Sequence, residues 1–193
     1  MNITVYAASG DMPAEIYHAA ASELGKLMAE GGHTLVYGGG NGGLMGDCAR
    51  AALENGGKVI GIAPSFFIRH GVTLGSCTEF IATDTMSERK TLLEEKADAF
   101  IVLPGGTGTM DEFFETLTNK QLGLHGKPIA VLNTDGYYSH ILSFINDAIG
   151  KKFISARCAE LYSFCSTPAD AVEYVMNAPV FKGDLNKLHN YGK

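Results

Sequence analysis

Short runs of apolar, β-branched residues alternate along the chain with longer segments in which apolar residues recur at helical spacing. The short runs predict six strands, at residues 3–7, 34–37, 58–62, 79–82, 99–103 and 128–132. The longer segments predict six helices, at residues 11–30, 44–54, 85–96, 109–122, 137–149 and 168–176. Glycine or proline stands at nearly every junction between the two kinds of segment.

Strands that alternate with helices in this way predict an α/β protein with a parallel sheet between two helical layers. Right-handed crossovers then produce a doubly wound, three-layer α/β/α sheet whose binding crevice lies at the carboxyl ends of the strands. No composition break marks a linker, and 193 residues with 46% hydrophobic content are enough for one buried core. We therefore predict a single domain at residues 1–180 and a polar C-terminal tail at 181–193.

Charge and composition narrow the classes of function. Fifteen Lys and Arg against 21 Asp and Glu give a net charge of -6, which offers no broad basic surface for a nucleic acid. No apolar run approaches the roughly 20 residues that cross a bilayer, so we expect no membrane partner and a cytoplasmic location. The four cysteines form no CxxC pair and the six histidines no zinc-binding spacing. The sequence therefore predicts no metal site.

The strongest local pattern is the sequence PGGTGTMDE at residues 104–112, which follows an apolar strand and opens a helix. Free amides at a helix start, together with the helix dipole, favour a bound phosphate. Three glycines leave room for its approach and two threonines offer hydroxyl donors: Gly105, Gly106, Gly108, Thr107 and Thr109. The alternative is that Thr109 and Glu112 form a T-x-x-E capping box that only closes the helix end.

A second glycine-rich loop, YGGGNGGLMG at residues 37–46, also lies between a strand and a helix. If both strands are parallel, this loop, including Gly39, faces the same crevice, and the two loops form two walls of one pocket. Ser9, at the end of the first strand, either contacts the phosphate or begins a turn. Neither loop has the Lys-Ser/Thr ending of a nucleotide triphosphatase or the full dinucleotide-binding pattern. We expect neither NTP hydrolysis nor NAD binding.

Arg89 is the basic residue most suited to this pocket. It shares a helix face with Met86 and Leu93, so it lies among apolar neighbours and requires an acidic partner. A place in the pocket near Glu112 is one interpretation, and a surface salt bridge with a glutamate of its own helix is the other. Glu79 likewise has two interpretations, as a substrate ligand or as an exposed strand residue.

Three motifs in order, YGGGxxGLMG at 37–46, MxxRK at 86–90 and PGGxGTxxE at 104–112, resemble the LONELY GUY family of cytokinin riboside 5'-monophosphate phosphoribohydrolases, often mislabelled lysine decarboxylases. The similarity continues through QLGLH and LNTDGYY to about residue 154. It implies a Rossmann-like homodimer that needs no cofactor. The implied reaction hydrolyses the N-glycosidic bond of adenosine-type, possibly N6-prenylated, nucleoside 5'-monophosphates to free base and ribose 5-phosphate.

The same resemblance implies roles for individual residues. Arg89 and Glu112 fall on the positions held to be catalytic. Substrate contacts fall on the following residues: Glu79, Lys90, Gly105, Gly106, Thr107, Gly108, Thr109, Asp111 and Thr118. To these we add Gly39 and Ser9 from the other two loops. Two positions depart from the family pattern, since the first turn reads AASG in place of a CGSS-like turn and Asn119 replaces a common Trp.

The chemistry of ribosyl cleavage supports the carboxylate assignment. Positive charge builds on the sugar, so a carboxylate near the anomeric carbon lowers the barrier and can orient water. We expect Glu112 in this role, with Asp111 as the alternative. Arg89 would stabilise the departing base or hold the phosphate, and Lys90 would contact the phosphate or serve the structure. A non-catalytic module that binds AMP-type nucleotides is the second hypothesis, and a decarboxylase would need a lysine that forms a Schiff base with pyridoxal phosphate.

Overall fold

The computed structural model describes residues 1–181, which form seven strands, seven α-helices and two short 3-10 helices. The strands are β1 (Asn2–Tyr6), β2 (Thr34–Tyr37), β3 (Lys58–Pro64), β4 (Glu79–Thr83), β5 (Ala99–Val102), β6 (Ile129–Leu132) and β7 (Ser163–Cys165). The α-helices are α1 (Glu15–Glu30), α2 (Gly43–Glu54), α3 (Ser65–Arg69), α4 (Met86–Glu95), α5 (Thr107–Gln121), α6 (Ser139–Gly150) and α7 (Pro168–Asn177). The 3-10 helices are Thr134–Gly136 and Ala156–Glu160.

The strands form one sheet in the order β4-β3-β2-β1-β5-β6-β7, and all its neighbouring strands within residues 1–181 pair in parallel. Strand residues alternate between two cores: Leu35 belongs to the cluster that includes residues of α1, α2 and α7, whereas Val36 belongs to the cluster that includes residues of α4, α5 and α6. The predicted α/β class, the doubly wound sheet and the three layers are therefore confirmed.

The six predicted strands and six predicted helices are all present, and the differences are local. Strand β7 and helix α3 were not predicted, because three and five residues are too few to show a period. The first helix begins at Glu15 rather than near Asp11. Aspartate often caps the start of a helix. The Asp11 carboxylate, however, accepts a hydrogen bond from the Gly43 amide at the start of α2, so it caps α2 and not α1.

The strand order reverses between β1 and β5, and the loops that follow these strands meet there. The Ala8 amide, just beyond β1, donates to the carbonyl of Pro104 at 3.2 Å, and the Ala8 carbonyl accepts from the Met45 amide at 3.0 Å. One residue thus ties the start of α2 to the turn before α5. Both glycine-rich loops lie at this end of the sheet, as predicted.

Among the described residues, no helix has the length and apolar content needed to span a membrane. The predicted polar tail falls almost entirely on residues 182–193, which lie outside the described part of the chain.

Candidate active site

The turn between β5 and α5 presents an open helix start. Helix α5 begins at Thr107, and its N-cap, Gly106, makes no side-chain capping hydrogen bond. The capping box of Thr109 and Glu112 does not form, because Thr109 lies inside the first turn and the Glu112 carboxylate bonds elsewhere. The first-turn amides of α5 are therefore the groups that a helix leaves for an external acceptor.

The glycines of this turn differ in their surroundings. A Cβ on Gly106 or Gly108 would meet no atom within 4 Å, and both residues are exposed together with Thr107. A Cβ on Gly105 would lie 2.1 Å from the Thr109 Oγ1, and Thr109 is buried. Gly105 and Thr109 therefore pack the turn, whereas Gly106, Thr107 and Gly108 can meet a ligand.

Two tyrosines that the sequence analysis left out of the site hold this turn in place. The Tyr137 hydroxyl donates to the Gly105 carbonyl at 2.9 Å, and the Tyr138 hydroxyl donates to the Leu103 carbonyl at 2.7 Å. Burial raises the pKa of Tyr138, so its hydroxyl keeps the proton that it donates. In the sequence, these two tyrosines are recognisable only as a pair of aromatic residues shortly after β6. Their hydrophobicity alone predicts that they pack in the core, not that their hydroxyls hold the turn.

Arg89 and Glu112 form a buried ion pair at the same end of the sheet. The Arg89 Nη1 donates to the Glu112 Oε1 at 2.7 Å, and the two side chains are 6% and 9% exposed. The Arg89 Nε also donates to the Ile62 carbonyl at 3.2 Å. Arg89 is therefore buried against Glu112, and within residues 1–181 no salt bridge joins it to a glutamate of its own helix.

The first glycine loop makes room for this arginine. A Cβ on Gly38 would lie 2.0 Å from the Arg89 Nη2, so the guanidinium packs directly on the loop backbone. Arg89 thus touches β3 through Ile62, the first loop through Gly38 and α5 through Glu112. These three contacts fix its plane and orient the carboxylate that it holds.

Burial controls the acidity of Glu112. Desolvation raises the pKa of this carboxyl above its ordinary value, and the neighbouring Arg89 guanidinium opposes the rise. A carboxyl with a raised pKa, held beside an open helix start, is typical of a catalytic group.

Lys90 and Asp111 lie beside this pair but face outward. The Lys90 Nζ is 3.1 Å from the Asp111 carboxylate and 2.6 Å from that of Glu115, and Asp111 is exposed. Hydrogen bonding to Glu115, and then to Asp111, raises the pKa of Lys90. Lys90 therefore bridges α4 to α5, which matches the structural alternative for this residue.

Two predicted substrate contacts lie away from the Arg89–Glu112 pair. Glu79 is the first residue of β4, at the amino end of the strand, and its carboxylate is 4.0 Å from the Lys96 Nζ. Thr118 is exposed on α5, eleven residues or about 16 Å beyond its start. Within a single chain, Glu79 fits the exposed-strand interpretation and Thr118 lies far from the open turn.

The start of α2 is occupied by other groups of the chain. The Gly43 amide donates to the Asp11 carboxylate, and the Met45 amide donates to the Ala8 carbonyl. Gly39 has a φ of +74° and is buried against Ala63 and Phe80, so it shapes the wall. Asp11, which the sequence analysis assigned to the first helix, therefore belongs to the rim of the crevice.

Ser9 is exposed in the turn after β1, and a Cβ on Gly42 would lie 2.9 Å from its carbonyl oxygen. Ser9 therefore stands at the crevice next to the first glycine loop. Within residues 1–181, no three His, Cys, Asp or Glu side chains are grouped so that they could hold a metal ion.

Comparison with known proteins identifies related sequences and folds. Residues 45–175 match the family described as possible lysine decarboxylase. A rice (Oryza sativa subsp. japonica) cytokinin riboside 5'-monophosphate phosphoribohydrolase, LOG, is 40% identical, and the match covers 98% of this chain and 73% of that protein. The Arabidopsis thaliana cytokinin riboside 5'-monophosphate phosphoribohydrolase LOG2 is 42% identical, and the match covers 80% of this chain and 72% of that protein.

Solved structures show the same fold in proteins that carry other names. The molybdenum cofactor binding protein of Rippkaea orientalis is 26% identical with a TM-score of 0.70, and the match covers 91% of this chain and 94% of that one. The molybdenum cofactor carrier protein of Chlamydomonas reinhardtii, 24% identical with a TM-score of 0.72 over 91% and 95% of the two chains, supports the fold alone. By family match and by identity over most of its length, the chain belongs to the LONELY GUY family, the family described as possible lysine decarboxylase.

Proposed function

We propose that this chain hydrolyses the N-glycosidic bond of nucleoside 5'-monophosphates with an adenine-type base, releasing the free base and ribose 5-phosphate. The observation that carries the proposal is the buried Arg89–Glu112 pair, whose carboxylate lies five residues beyond an open helix start. The rice and Arabidopsis relatives named for this reaction support it.

The phosphate is bound, in this proposal, at the start of α5. The first-turn amides and the helix dipole attract the anion, and the exposed Gly106 and Gly108 let it approach the backbone. The Thr107 hydroxyl is the side-chain donor, since Thr109 is buried. Ser9 completes the site from the turn after β1.

Glu112 supplies the charge that the reaction needs. As the bond between the anomeric carbon and the base nitrogen breaks, its electron pair leaves with the base and positive charge develops on the ribose. The Glu112 carboxylate stabilises that charge and accepts a proton from the attacking water, while the base nitrogen takes up a proton. Asp111 is the weaker candidate because it is exposed and bound by Lys90.

Arg89 acts as a positioning residue for this carboxylate. Its guanidinium is engaged by Glu112, by the Ile62 carbonyl and by the backbone at Gly38, which holds the carboxylate in one orientation. Its positive charge also opposes the rise in the pKa of Glu112, so the carboxylate form is favoured. Lys90 secures α4 to α5 from the outside.

We further propose that the chain is a cytoplasmic homodimer. The free thiols of Cys48, Cys77, Cys158 and Cys165 favour a reducing compartment. Three large apolar side chains, Leu124, Phe144 and Phe153, are exposed, and a second copy would cover such surface. Light scattering on the purified protein should give twice the chain mass of 20.5 kDa.

The reaction is tested by a panel of AMP, dAMP, GMP, CMP and isopentenyl-AMP, with free base measured by chromatography. We expect base and ribose 5-phosphate in equal amounts from AMP and isopentenyl-AMP, and much slower release of base from CMP. Tight binding of AMP without base release from any nucleotide would contradict the proposal and favour the binding module.

A further inference from the structure

Consecutive carbonyl groups in the turn between β5 and α5 are each held by a hydrogen bond from another group of the protein. The carbonyls are those of Leu103, Pro104, Gly105 and Gly106. Their donors, in the same order, are the Tyr138 hydroxyl, the Ala8 amide, the Tyr137 hydroxyl and the Met110 amide. The orientation of each of these peptide groups is therefore fixed through its oxygen.

Holding the oxygen of a peptide group also directs its N–H. In a trans peptide the C=O and the N–H point in opposite directions, and no peptide bond within residues 1–181 is cis. The Leu103 carbonyl shares its peptide group with Pro104, which has no N–H. The Gly105 carbonyl shares its peptide group with the Gly106 amide. Tyr137 therefore directs a hydrogen-bond donor, whereas Tyr138 directs none.

The Gly106 amide is placed to meet a ligand. Within residues 1–181, no backbone carbonyl accepts a hydrogen bond from it, and a Cβ on Gly106 would meet no atom within 4 Å. The peptide group between Gly105 and Gly106 has glycine on both sides, so its plane can rotate at low cost. The Tyr137 hydroxyl opposes that rotation. A rotated peptide group would turn its carbonyl oxygen toward a bound anion and repel it.

The Tyr137 side chain is itself held in one place. It follows β6 through a tight turn in which Asp135 and Gly136 have φ angles of +52° and +71°. Its ring packs edge to face against those of Tyr17 and Tyr138, with centroids 5.7 and 4.8 Å away. The hydroxyl that reaches the Gly105 carbonyl is therefore carried by a ring with fixed neighbours.

We propose that Tyr137 is a positioning residue of the phosphate site, because its hydroxyl keeps the Gly106 N–H directed at the 5'-phosphate. The inference rests on the proposed function, which places this phosphate at the start of α5. Without the hydroxyl, only a fraction of the molecules hold the peptide group in the binding orientation, and the affinity for the phosphate falls by that fraction. Glu112 is held separately by Arg89 of α4, so the cleavage step is little affected.

The test compares Tyr137→Phe with Tyr138→Phe, each of which removes one hydroxyl. The measurements are KM and kcat for AMP, the inhibition constant of ribose 5-phosphate, and the melting temperature. For Tyr137→Phe we expect KM and the inhibition constant to rise together by about tenfold, the size of effect given by one lost hydrogen bond. The value of kcat should stay within about threefold of that of the unsubstituted protein.

Tyr138→Phe should show the opposite order of effects. It leaves the buried Leu103 carbonyl without its donor, so the melting temperature should fall more than in Tyr137→Phe. The KM and the inhibition constant should rise less, because Tyr138 directs no N–H.

The inference is overturned if the two variants raise both constants equally, or if Tyr137→Phe lowers kcat and leaves the constants unchanged. If the unsubstituted protein releases no base from AMP, the proposed function fails and this inference fails with it. If it releases base and Tyr137→Phe has the same constants, the inference fails alone.

Discussion

The chain contains two strand, glycine loop and helix units that look alike in sequence and differ in what their glycines do. In the unit that contains β5 and α5, Gly106 and Gly108 are exposed and face open space. In the unit that contains β2 and α2, Gly38 and Gly46 are buried, and a Cβ on either would lie 2.0 Å from another atom of the protein. Glycine gives access in the first unit and close packing in the second.

The acidic residues of the two units differ in the same way. Glu112 on α5 is buried, and its carboxylate is held by Arg89 at the crevice. Asp47 on α2 is 19% exposed and bonds to His18 of α1 and Arg50 of its own helix. The hydrogen bond to Asp47 raises the pKa of His18. The α5 unit therefore holds an acid for chemistry, and the α2 unit uses its acid to join two helices.

The largest expected effect separates these two acids. Glu112→Gln should lower kcat by about 10²- to 10⁴-fold, the usual loss for a positioned acid or base. The AMP dissociation constant should stay within a few-fold because the phosphate site at α5 is intact. Asp47→Asn is the matched control and should keep kcat within about threefold of the unsubstituted protein. Initial-rate assays of base release measure both, and equal losses in the two variants would break the comparison.

The next effect concerns packing in the α2 unit. Gly46→Ala places a Cβ 2.0 Å from the Asn41 carbonyl oxygen, and this backbone atom cannot move without shifting the loop. We expect a loss of about 1–3 kcal/mol in the free energy of unfolding, the usual cost of overpacking. For a chain of this size the melting temperature should fall by about 2–4 °C per kcal/mol. An unchanged melting temperature would show that the loop is looser than its geometry indicates.

Gly108→Ala is the corresponding substitution in the α5 unit. Its expected effect is smaller, and it is measured on AMP binding and not on the free energy of unfolding. The new methyl group meets no protein atom within 4 Å, so the melting temperature should stay the same or rise slightly. The methyl group would however stand where the phosphate approaches the first-turn amides. We expect AMP binding to weaken about tenfold, or about 1.4 kcal/mol. Calorimetry measures the dissociation constant of AMP for this variant. An unchanged dissociation constant would show that the phosphate does not bind at the start of α5.

The sequence predicted the fold better than it distinguished these two units. Alternation of apolar runs with helical segments is set by burial, which the residues themselves encode. The crowding at Gly46 and the open space at Gly108 arise instead from tertiary neighbours such as Asn41. The sequence does not distinguish a crowded glycine from one that faces open space. The two glycine-rich motifs therefore predicted two loops with similar roles in the pocket.

Side-chain partners across the fold were predictable only in part. The apolar helix face correctly indicated that Arg89 needs a buried acid, and Glu112 is that acid. Asp11 could not be predicted, because its partner, Gly43, is 32 residues away in sequence. The place of Glu79 at the amino end of β4 follows from the predicted start and direction of that strand.

The last and smallest effect tests the residue that joins the two units, since Arg89 packs on Gly38 and holds Glu112. Glu112 must be ionised to act, so activity should fall as the pH drops through its pKa, which burial places above the ordinary range. Arg89→Lys weakens the ion pair that opposes this rise, so the acidic limb of the kcat profile should move to higher pH.

Asp111→Asn provides a control of opposite sign, because the Asp111 charge raises the pKa of Glu112. Its acidic limb should move to lower pH. A merely structural Arg89 would lower kcat at every pH and leave the limb in place. That outcome would show that Arg89, which lies between the glycine loop of α2 and Glu112, contributes packing but does not change the pKa of Glu112.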